Sequence, residues 1–443
     1  MTSKSWLALL PLVLFLVLFV GSGLWYQSQG VDFAFYQISA PVAILPAIAL
    51  AIVMAKGNLN KRIETFVNGV GDNTITTMVL IYLLAGAFAS VAKAVGGVDA
   101  TVNFGLSIVP PSLLLPGIFV ISAFVATSMG TSMGTIAAIA PIALGVAEAA
   151  ELSLLLTMGT VIGGAMFGDN LSIISDTTIA ATRTQGCDMR DKFKMNFKIA
   201  LPAALLTLVW LFLQSGNAQI NDIKEYDWLK VLPYVAVLGL AIAGVNVMLV
   251  LFSGIIFAGV IGLLSIADYS VATWSADIYA GYTGMQEILI LSLLIGGLAA
   301  LMKSQGGLDW LMDIVERTGA LFGAKAGSTR AGELSISACV ALTNLCTANN
   351  TVSILINGSV AKRIAERYNV DPKRSASLLD IFSCVVQGIL PYGAQILLAA
   401  SLAKVSVFSL VGYVQYSWLL GFIAILSIFF AWPKTQTNNS TPA

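Results

Sequence analysis

The sequence predicts an all-α polytopic membrane protein made of two inverted-topology repeats, each with about five transmembrane helices and a re-entrant hairpin. Three observations carry that reading. Of 443 residues, 57% are hydrophobic and only 10% are charged, against roughly 25% charged in a soluble domain; the mean hydropathy is +0.87. Apolar runs of about twenty residues recur, punctuated by glycine and proline, which fits helical spans and not the alternation of a barrel. Polar interruptions fall in matching places of the two halves.

The first span is expected over Trp6–Trp25, a helix rather than a cleaved leader because the same polytopic pattern follows it. The second covers Ile38–Ala55. Lys56, Lys61 and Arg62 then gather before an amphipathic piece ending near Gly71, so this loop and the N-terminus face the cytoplasm. Thr74–Val95 runs outward. Ser112–Ala147 is interrupted at Thr127–Thr135, and flanks of about twelve to sixteen residues are short for a crossing at about 1.5 Å per residue. Glu148 and Glu151 follow with no basic residue, as a hairpin returning to the outer side requires. Leu152–Phe167 descends, Gly163–Cys187 breaks the helix, and Thr178–Arg183 continues to an inner basic segment with Arg183, Arg190, Lys192, Lys194 and Lys198. Ile199–Leu213 comes back out.

Residues 1–214 thus form a first repeat, 215–230 an extracytoplasmic linker, 231–433 a second repeat and 434–443 a cytoplasmic tail. Leu83–Asp99 aligns with Leu293–Asp309 at an offset of 210, including Lys93 with Lys303 and Gly96-Gly97 with Gly306-Gly307. At an offset of 216, Thr127, Thr131 and Thr135 align with Thr343, Thr347 and Thr351. Five crossings and a hairpin are an odd number of passages, so the second half starts on the opposite side. Val231–Ala243 goes in, Val247–Ile266 out, and Glu287–Met302 in, to a loop with Lys303, Arg317, Lys325 and Arg330. Glu333–Ile364 repeats the hairpin, and the following Lys362, Arg363, Arg367, Lys373 and Arg374 lie inside only if it is re-entrant. Ser375–Ser401 crosses, broken around Gln387–Gly393, and Val411–Trp432 returns, leaving both termini cytoplasmic.

Several chemistries are excluded. The chain has no histidine, and Cys187, Cys339, Cys346 and Cys384 form no CxxC pair, which removes a histidine-bearing zinc site, a Ser-His-Asp triad and haem ligation by histidine. No enzyme activity is expected. Zero net charge without a long basic tract gives no reason to expect nucleic acid as a partner.

Chemistry concentrates where Asp169, Asn170, Ser172, Ser175, Asp176, Thr177 and Thr178 fall within ten residues. An ionisable group at membrane depth persists only inside protein or a watery cavity, and points to ion binding or transport. Asp169 follows Gly168 and is expected at a turn; Asp176 is either an ion ligand or a helix cap. Thr127, Thr131 and Thr135, spaced by four, would make one hydroxyl-bearing helix face. Back-bonding to preceding carbonyls is the plain alternative. Expected ion ligands are Asp169, Asp176, Thr127, Thr131, Thr343, Thr347 and Asn344, with Asp169, Asp176 and Thr343 holding the metal ion directly. Expected substrate contacts are Ser128, Ser132, Asn170, Ser172, Ser175, Thr177, Asn349, Asn350, Gln387 and Tyr392. Neutral oxygens of this kind suit a hard cation such as sodium. Asp380 reads as a helix cap, and Lys93 and Lys303 as snorkelling lysines.

Phe167–Thr178, FGDNLSIISDTT, is similar to the FGD-x-x-S-x-x-SDTT signature of the NhaC-type sodium/proton antiporters, within the broader ion-transporter superfamily, and the resemblance covers nearly the whole chain. It implies a secondary transporter of the bacterial cytoplasmic (inner) membrane, with no cofactor, sodium as coupling ion, and scaffold helices beside a mobile region of two hairpins and two broken helices. Such a scaffold is compatible with a homodimer in the lipid membrane. Members are associated with sodium/proton exchange, ion-coupled malate/lactate exchange and amino-acid transport. Sodium/proton antiport by alternating access is the leading expectation; sodium-coupled transport of an amino acid or small carboxylate is the alternative. Where many members carry a basic residue after the Asp and a proline after the Ser, this chain has Asn170 and Ile173, which leaves room for an organic substrate.

Overall fold

Prolines and glycines set the helix boundaries. The computed structural model describes residues 5–29, 31, 37–173, 175–215, 225–310 and 328–433. The first half runs α1 (Leu10–Ser28), α2 (Ala40–Ala43), α3 (Leu45–Met54), α4 (Leu59–Val70), α5 (Asn73–Ala94), α6 (Gly97–Ile108), α7 (Leu114–Met129), α8 (Ser132–Ala149), α9 (Leu154–Leu171), α10 (Asp176–Gln185) and α11 (Met189–Ser215). The second runs α12 (Trp228–Ile242), α13 (Val247–Ser265), α14 (Val271–Gly284), α15 (Gln286–Ser304), α16 (Thr329–Thr347), α17 (Asn350–Tyr368), α18 (Pro372–Ile389), α19 (Ala394–Ala403), α20 (Val407–Val411) and α21 (Gln415–Phe429). Among the described residues there is no strand, and nine helices are long and apolar enough to cross a membrane. The chain is a multi-pass α-helical membrane protein. Arg317, Lys325, most of the 215–230 linker and the 434–443 tail lie outside the described residues.

Four expectations shift. In the first hairpin α7 has the 16 residues at the upper end of the expected flank and α8 has 18, and both segments are long and apolar enough to cross a membrane, because the helices run into the polar tip. The first broken helix does not stop at Phe167: α9 carries Gly168, Asp169 and Asn170 as helix and breaks only after Leu171. Gly168 permits this, since a Cβ there would lie 2.4 Å from the Ala123 carbonyl oxygen of α7. The second break is likewise tighter, over 390–393, where Pro391 stands. Finally, α14 was not anticipated, because the serines, threonines, aspartate and glycines of Val271–Gly284 look like a loop in one dimension.

Caps and breaks recur at a single offset of 218. Gly130 and Ala348 are left-handed (φ 69° and 50°), followed by extended N-caps at Thr131 and Asn349. The helices α9 and α18 end at Leu171 and Ile389, and α10 and α19 start after extended N-caps at Ser175 and Gly393. Gly186 and Lys404 close them in left-handed geometry. The threonine register of 216 is therefore displaced by two residues: Thr131 corresponds to Asn349, not to Thr347. Threonines spaced by four match in a nearby register by composition alone, whereas the backbone turn fixes the true one. The offset of 210 is kept earlier in the halves, where Gly96 and Gly306 are both left-handed.

The remaining helices exchange partners between halves. Gly69 of α4 packs on Gly296 of α15, and Gly281 of α14 packs on Gly86 of α5. In each pair a Cβ on one glycine would stand 2.4–2.8 Å from the other's carbonyl oxygen. Tyr82 and Ser292, which correspond at the offset of 210, touch directly, the serine hydroxyl donating to the phenol oxygen at 3.3 Å.

Overpacking such a contact costs about 1–3 kcal/mol. Gly86→Val is therefore expected to lower the melting temperature of the purified protein in detergent, whereas Gly105→Ala, whose Cβ meets nothing within 4 Å, leaves it unchanged. Equal effects of the two substitutions would contradict this packing.

Candidate ion-binding site

A helix broken at membrane depth frees amides and carbonyls that must find partners. Hydroxyls supply them here. Ser175 caps α10 by accepting from the Thr178 amide at 3.3 Å. The Thr178 hydroxyl donates to the Ser172 carbonyl at 2.7 Å, and the Ser172 hydroxyl donates to the Thr127 carbonyl at 3.1 Å, tying the break to the tip of the first hairpin. Lys192 Nζ and Asn196 Nδ2 of α11 both donate to the freed Asn170 carbonyl, at 3.0 and 2.9 Å.

Asp169 stands in the last turn before the break and is only 4% exposed. Ser132 Oγ donates to its Oδ2 at 3.0 Å and Thr177 Oγ1 to its Oδ1 at 3.4 Å, while the Ser175 hydroxyl lies 3.0 Å from Thr177 Oγ1. Ser132 in turn accepts from Gln395 Nε2 at 3.0 Å; Gln395 Oε1 accepts from Gln387 Nε2 at 2.8 Å, which also donates to the Ala348 carbonyl at 3.1 Å. One polar chain thus joins the first break, the first hairpin, the second broken helix and the second hairpin's tip. Gln387 and Gln395 occupy, at the offset of 218, the positions of Asp169 and Thr177. The carboxylate–hydroxyl pair of one half is an amide–amide pair in the other.

Around Asp169 the available ligands are its carboxylate and the hydroxyls of Ser132, Ser175 and Thr177, an all-oxygen set fitted to a hard cation. These donors are neutral, and a buried carboxylate requires compensating positive charge. A bound cation or a proton supplies it. Two cavities, of about 100 Å³ beside Phe19, Glu287 and Leu397 and of about 350 Å³ beside Pro11, Lys56 and Met302, have no lining residue from this cluster. The carboxylate is closed off from both.

Other expected site residues divide. Asn170 is buried, donating to the Met166 carbonyl at 3.0 Å and to the Tyr416 hydroxyl at 3.3 Å. Asp176 is exposed at the first position of α10 and is neither cap nor contact of Asp169, since Ser175 took the cap. Thr127, Thr131 and Thr135 do not form one helix face: Gly130 turns the chain, Thr127 bonds the Ala123 carbonyl, Thr131 caps α8, and Thr135 bonds the Thr131 carbonyl. The Ser128 carbonyl packs on Gly244, 2.9 Å from where a Cβ would stand. In the second hairpin, Thr347 bonds the Thr343 carbonyl and Asn349 caps α17. Asn344 Nδ2 donates to the Ser383 carbonyl at 2.8 Å, and Asn350 Nδ2 lies 3.9 Å from Cys384 Sγ. Tyr392 donates to the Leu345 carbonyl at 2.6 Å. Among the described residues, Thr343 Oγ1, Asn344 Oδ1, Asn349 Nδ2 and Gln387 Oε1 are buried without a hydrogen-bond partner.

Sequence reading missed two things. Lys192 was counted in an inner basic loop and Asp380 as a helix cap, yet both are fully buried and pair at 2.9 Å. The signal was the i, i+4 spacing of Lys192 and Asn196, which puts both on one face of α11. Asn196 Nδ2 donates to Asp380 Oδ2 at 2.6 Å. Glu333 pairs with Arg374 at 2.9 Å, and Arg374 also donates to Ser427 Oγ at 2.8 Å. That clamp joins α16, α18 and α21.

Two broken helices and two hairpins, joined by one polar chain that ends on a buried carboxylate, define a helical membrane transporter of the broken-helix class. The profile of the Na+/H+ antiporter family matches residues 1–215 and 218–433, and the chain belongs to that family. It is similar to the "Na(+)/H(+) antiporter NhaC" of Bacillus subtilis (strain 168), with 27% identity over 89% of this chain and 91% of that protein. From the same organism the "Malate-2H(+)/Na(+)-lactate antiporter" is 24% identical over 89% of each chain. The "Arginine/ornithine antiporter ArcD" of Halobacterium salinarum is 24% identical over 89% of this chain and 87% of that one. These relatives are transporters, and this chain is a transporter and not an enzyme.

The bridge from Gln395 to Ser132 is testable directly. In a background lacking the four native cysteines, Ser132→Cys paired with Gln395→Cys is expected to be joined by a short bifunctional thiol reagent in membranes, read as protection from later maleimide labelling. Absence of joining, with each single cysteine still reactive, would contradict the contact.

Proposed function

We propose that this protein is a sodium/proton antiporter of the bacterial inner membrane, working by alternating access, with Asp169 as the carboxylate that holds sodium and proton in turn. The single observation that carries the reading is Asp169 itself: a buried carboxylate whose hydrogen-bond partners are neutral hydroxyls, set where the first broken helix meets the first hairpin and linked through Ser132 to the second broken helix. Sodium would take Asp169 with the hydroxyls of Ser132, Ser175 and Thr177. A proton would take the carboxylate alone. Because both satisfy the same charge, binding of one excludes the other, and exchange follows from that competition. The membership in the Na+/H+ antiporter family supports it.

The repeat is proposed to be inverted. The recurrence of caps and breaks at one offset, the exchanged glycine contacts between halves, and the Tyr82–Ser292 contact support a pseudo-two-fold axis passing between α5 and α15. Halves related in this way can rock against a fixed site.

A second reading has its own support. The relatives whose printed names are malate/lactate and arginine/ornithine antiporters, together with the unpartnered polar atoms of Thr343, Asn344, Asn349 and Gln387, favour an amino acid or small carboxylate carried with sodium. Those atoms would bond its polar groups near the second hairpin's tip.

Reconstitution into proteoliposomes separates the readings. With an outward sodium gradient and no organic solute, antiport predicts internal acidification that disappears in Asp169→Asn and persists at the wild-type order of rate in Asp176→Asn. Proton flux appearing only when an amino acid or carboxylate is supplied would support the second reading. Undiminished flux in Asp169→Asn would remove Asp169 from the exchange.

A further inference from the structure

The ammonium of Lys192 lies in a cage of three oxygens: the freed Asn170 carbonyl at 3.0 Å, Thr178 Oγ1 at 2.6 Å and Asp380 Oδ2 at 2.9 Å. Its three N–H bonds meet three acceptors. The donor set is a carbonyl released by a helix break, a hydroxyl of the following helix, and a carboxylate. These are the ligand types that hold a hard monovalent cation where a transport helix unwinds. Lysine and aspartate are both fully buried. Three further acceptor oxygens of this cluster, Asp380 Oδ1, Asn196 Oδ1 and Asn170 Oδ1, are buried with no hydrogen-bond partner, so the cluster holds more acceptors than the lysine uses.

The corresponding positions of the other half carry no charge. At the offset of 218, Lys192 corresponds to Leu410, Asp380 to Ile162 and Asn196 to Val414, all fully buried. The other half builds the same break-and-return geometry with aliphatic side chains. Burying an ion pair gives little net stability over a well-packed apolar replacement, so the asymmetry asks for a reason other than stability.

We infer that the cage formed by the Asn170 carbonyl, Thr178 and Asp380 is a second monovalent-cation site, and that Lys192 fills it permanently as a tethered cation. A covalently held positive charge leaves the cage unable to exchange ions, so the mobile ion of the cycle is confined to one site. Removing the ammonium opens the cage to sodium. The inference does not require Asp169 to be the transported ion's ligand, since none of the three cage ligands is the Asp169 carboxylate.

The test compares melting temperatures of the purified protein in sodium chloride and in choline chloride. A ligand that binds the folded state stabilises it in proportion to its occupancy. Lys192→Met leaves Asp380 buried and unpaired, so it is expected to melt early in choline and to gain several degrees more from sodium than the wild type does. Radioactive-sodium binding should rise by one ion per chain. Lys192→Met combined with Asp380→Asn removes both charges; its sodium gain is expected to return to the wild-type value. If Lys192→Met gains no more from sodium than the wild type, whether it folds well or is unstable in both salts, the inference is overturned. It is equally overturned if the double variant keeps the enlarged gain. Because the charges of Lys192 and Asp380 also act on Asp169, Lys192→Met is measured again together with Asp169→Asn, where the enlarged sodium gain is expected to persist; its loss there would overturn the inference.

Discussion

Everything at the centre of this molecule depends on satisfying a helix that stops inside the membrane. One helix ends at Leu171 and the next begins at Asp176, and in hydrocarbon each backbone group orphaned at such ends costs several kcal/mol. Ser172, Ser175 and Thr178 meet that demand locally, and Lys192 and Asn196 meet it from the neighbouring helix. Of these hydroxyls, Ser175 also belongs to the surroundings of Asp169, lying 3.0 Å from the Thr177 hydroxyl that donates to the carboxylate. Ser175 is therefore the side chain shared between the break and the carboxylate's surroundings, and a change to it alters fold and site together.

The two halves solve this problem differently. The first uses serine and threonine hydroxyls and one carboxylate; the second puts glutamines at the corresponding positions, with Pro391 and Gly393 in the break itself. Gln387 and Gln395 carry no charge, so the second half completes the polar chain without adding an ion. Charge is placed asymmetrically again at Lys192 and Asp380, whose counterparts are Leu410 and Ile162. Caps and breaks recur at one offset while these charges do not, and that is why the framework reads as symmetric and the chemistry does not.

Much of the framework was legible in one dimension because membrane spans announce themselves by length and composition. The spans, both hairpin tips, both broken helices and the offset of 210 could all be read from apolar runs and glycine pairs. What failed did so for physical reasons. The break was put too early because Gly168, Asp169 and Asn170 have loop-like composition, yet close packing of Gly168 on α7 holds them helical. Asp176 lost the cap to Ser175, one residue earlier, since the left-handed or extended backbone that decides a cap is invisible in residue type. Lys192 was taken for a loop residue because its burial comes from α18, nearly two hundred residues away in sequence.

Under the proposed function the carboxylate of Asp169, and not that of Asp176, is the cation ligand. Equilibrium sodium binding to the purified protein, measured by calorimetry at constant ionic strength, tests it most directly. The account predicts saturable binding by the wild type and by Asp176→Asn, and loss of that binding in an Asp169→Asn protein that remains folded. Wild-type sodium affinity in Asp169→Asn would contradict it.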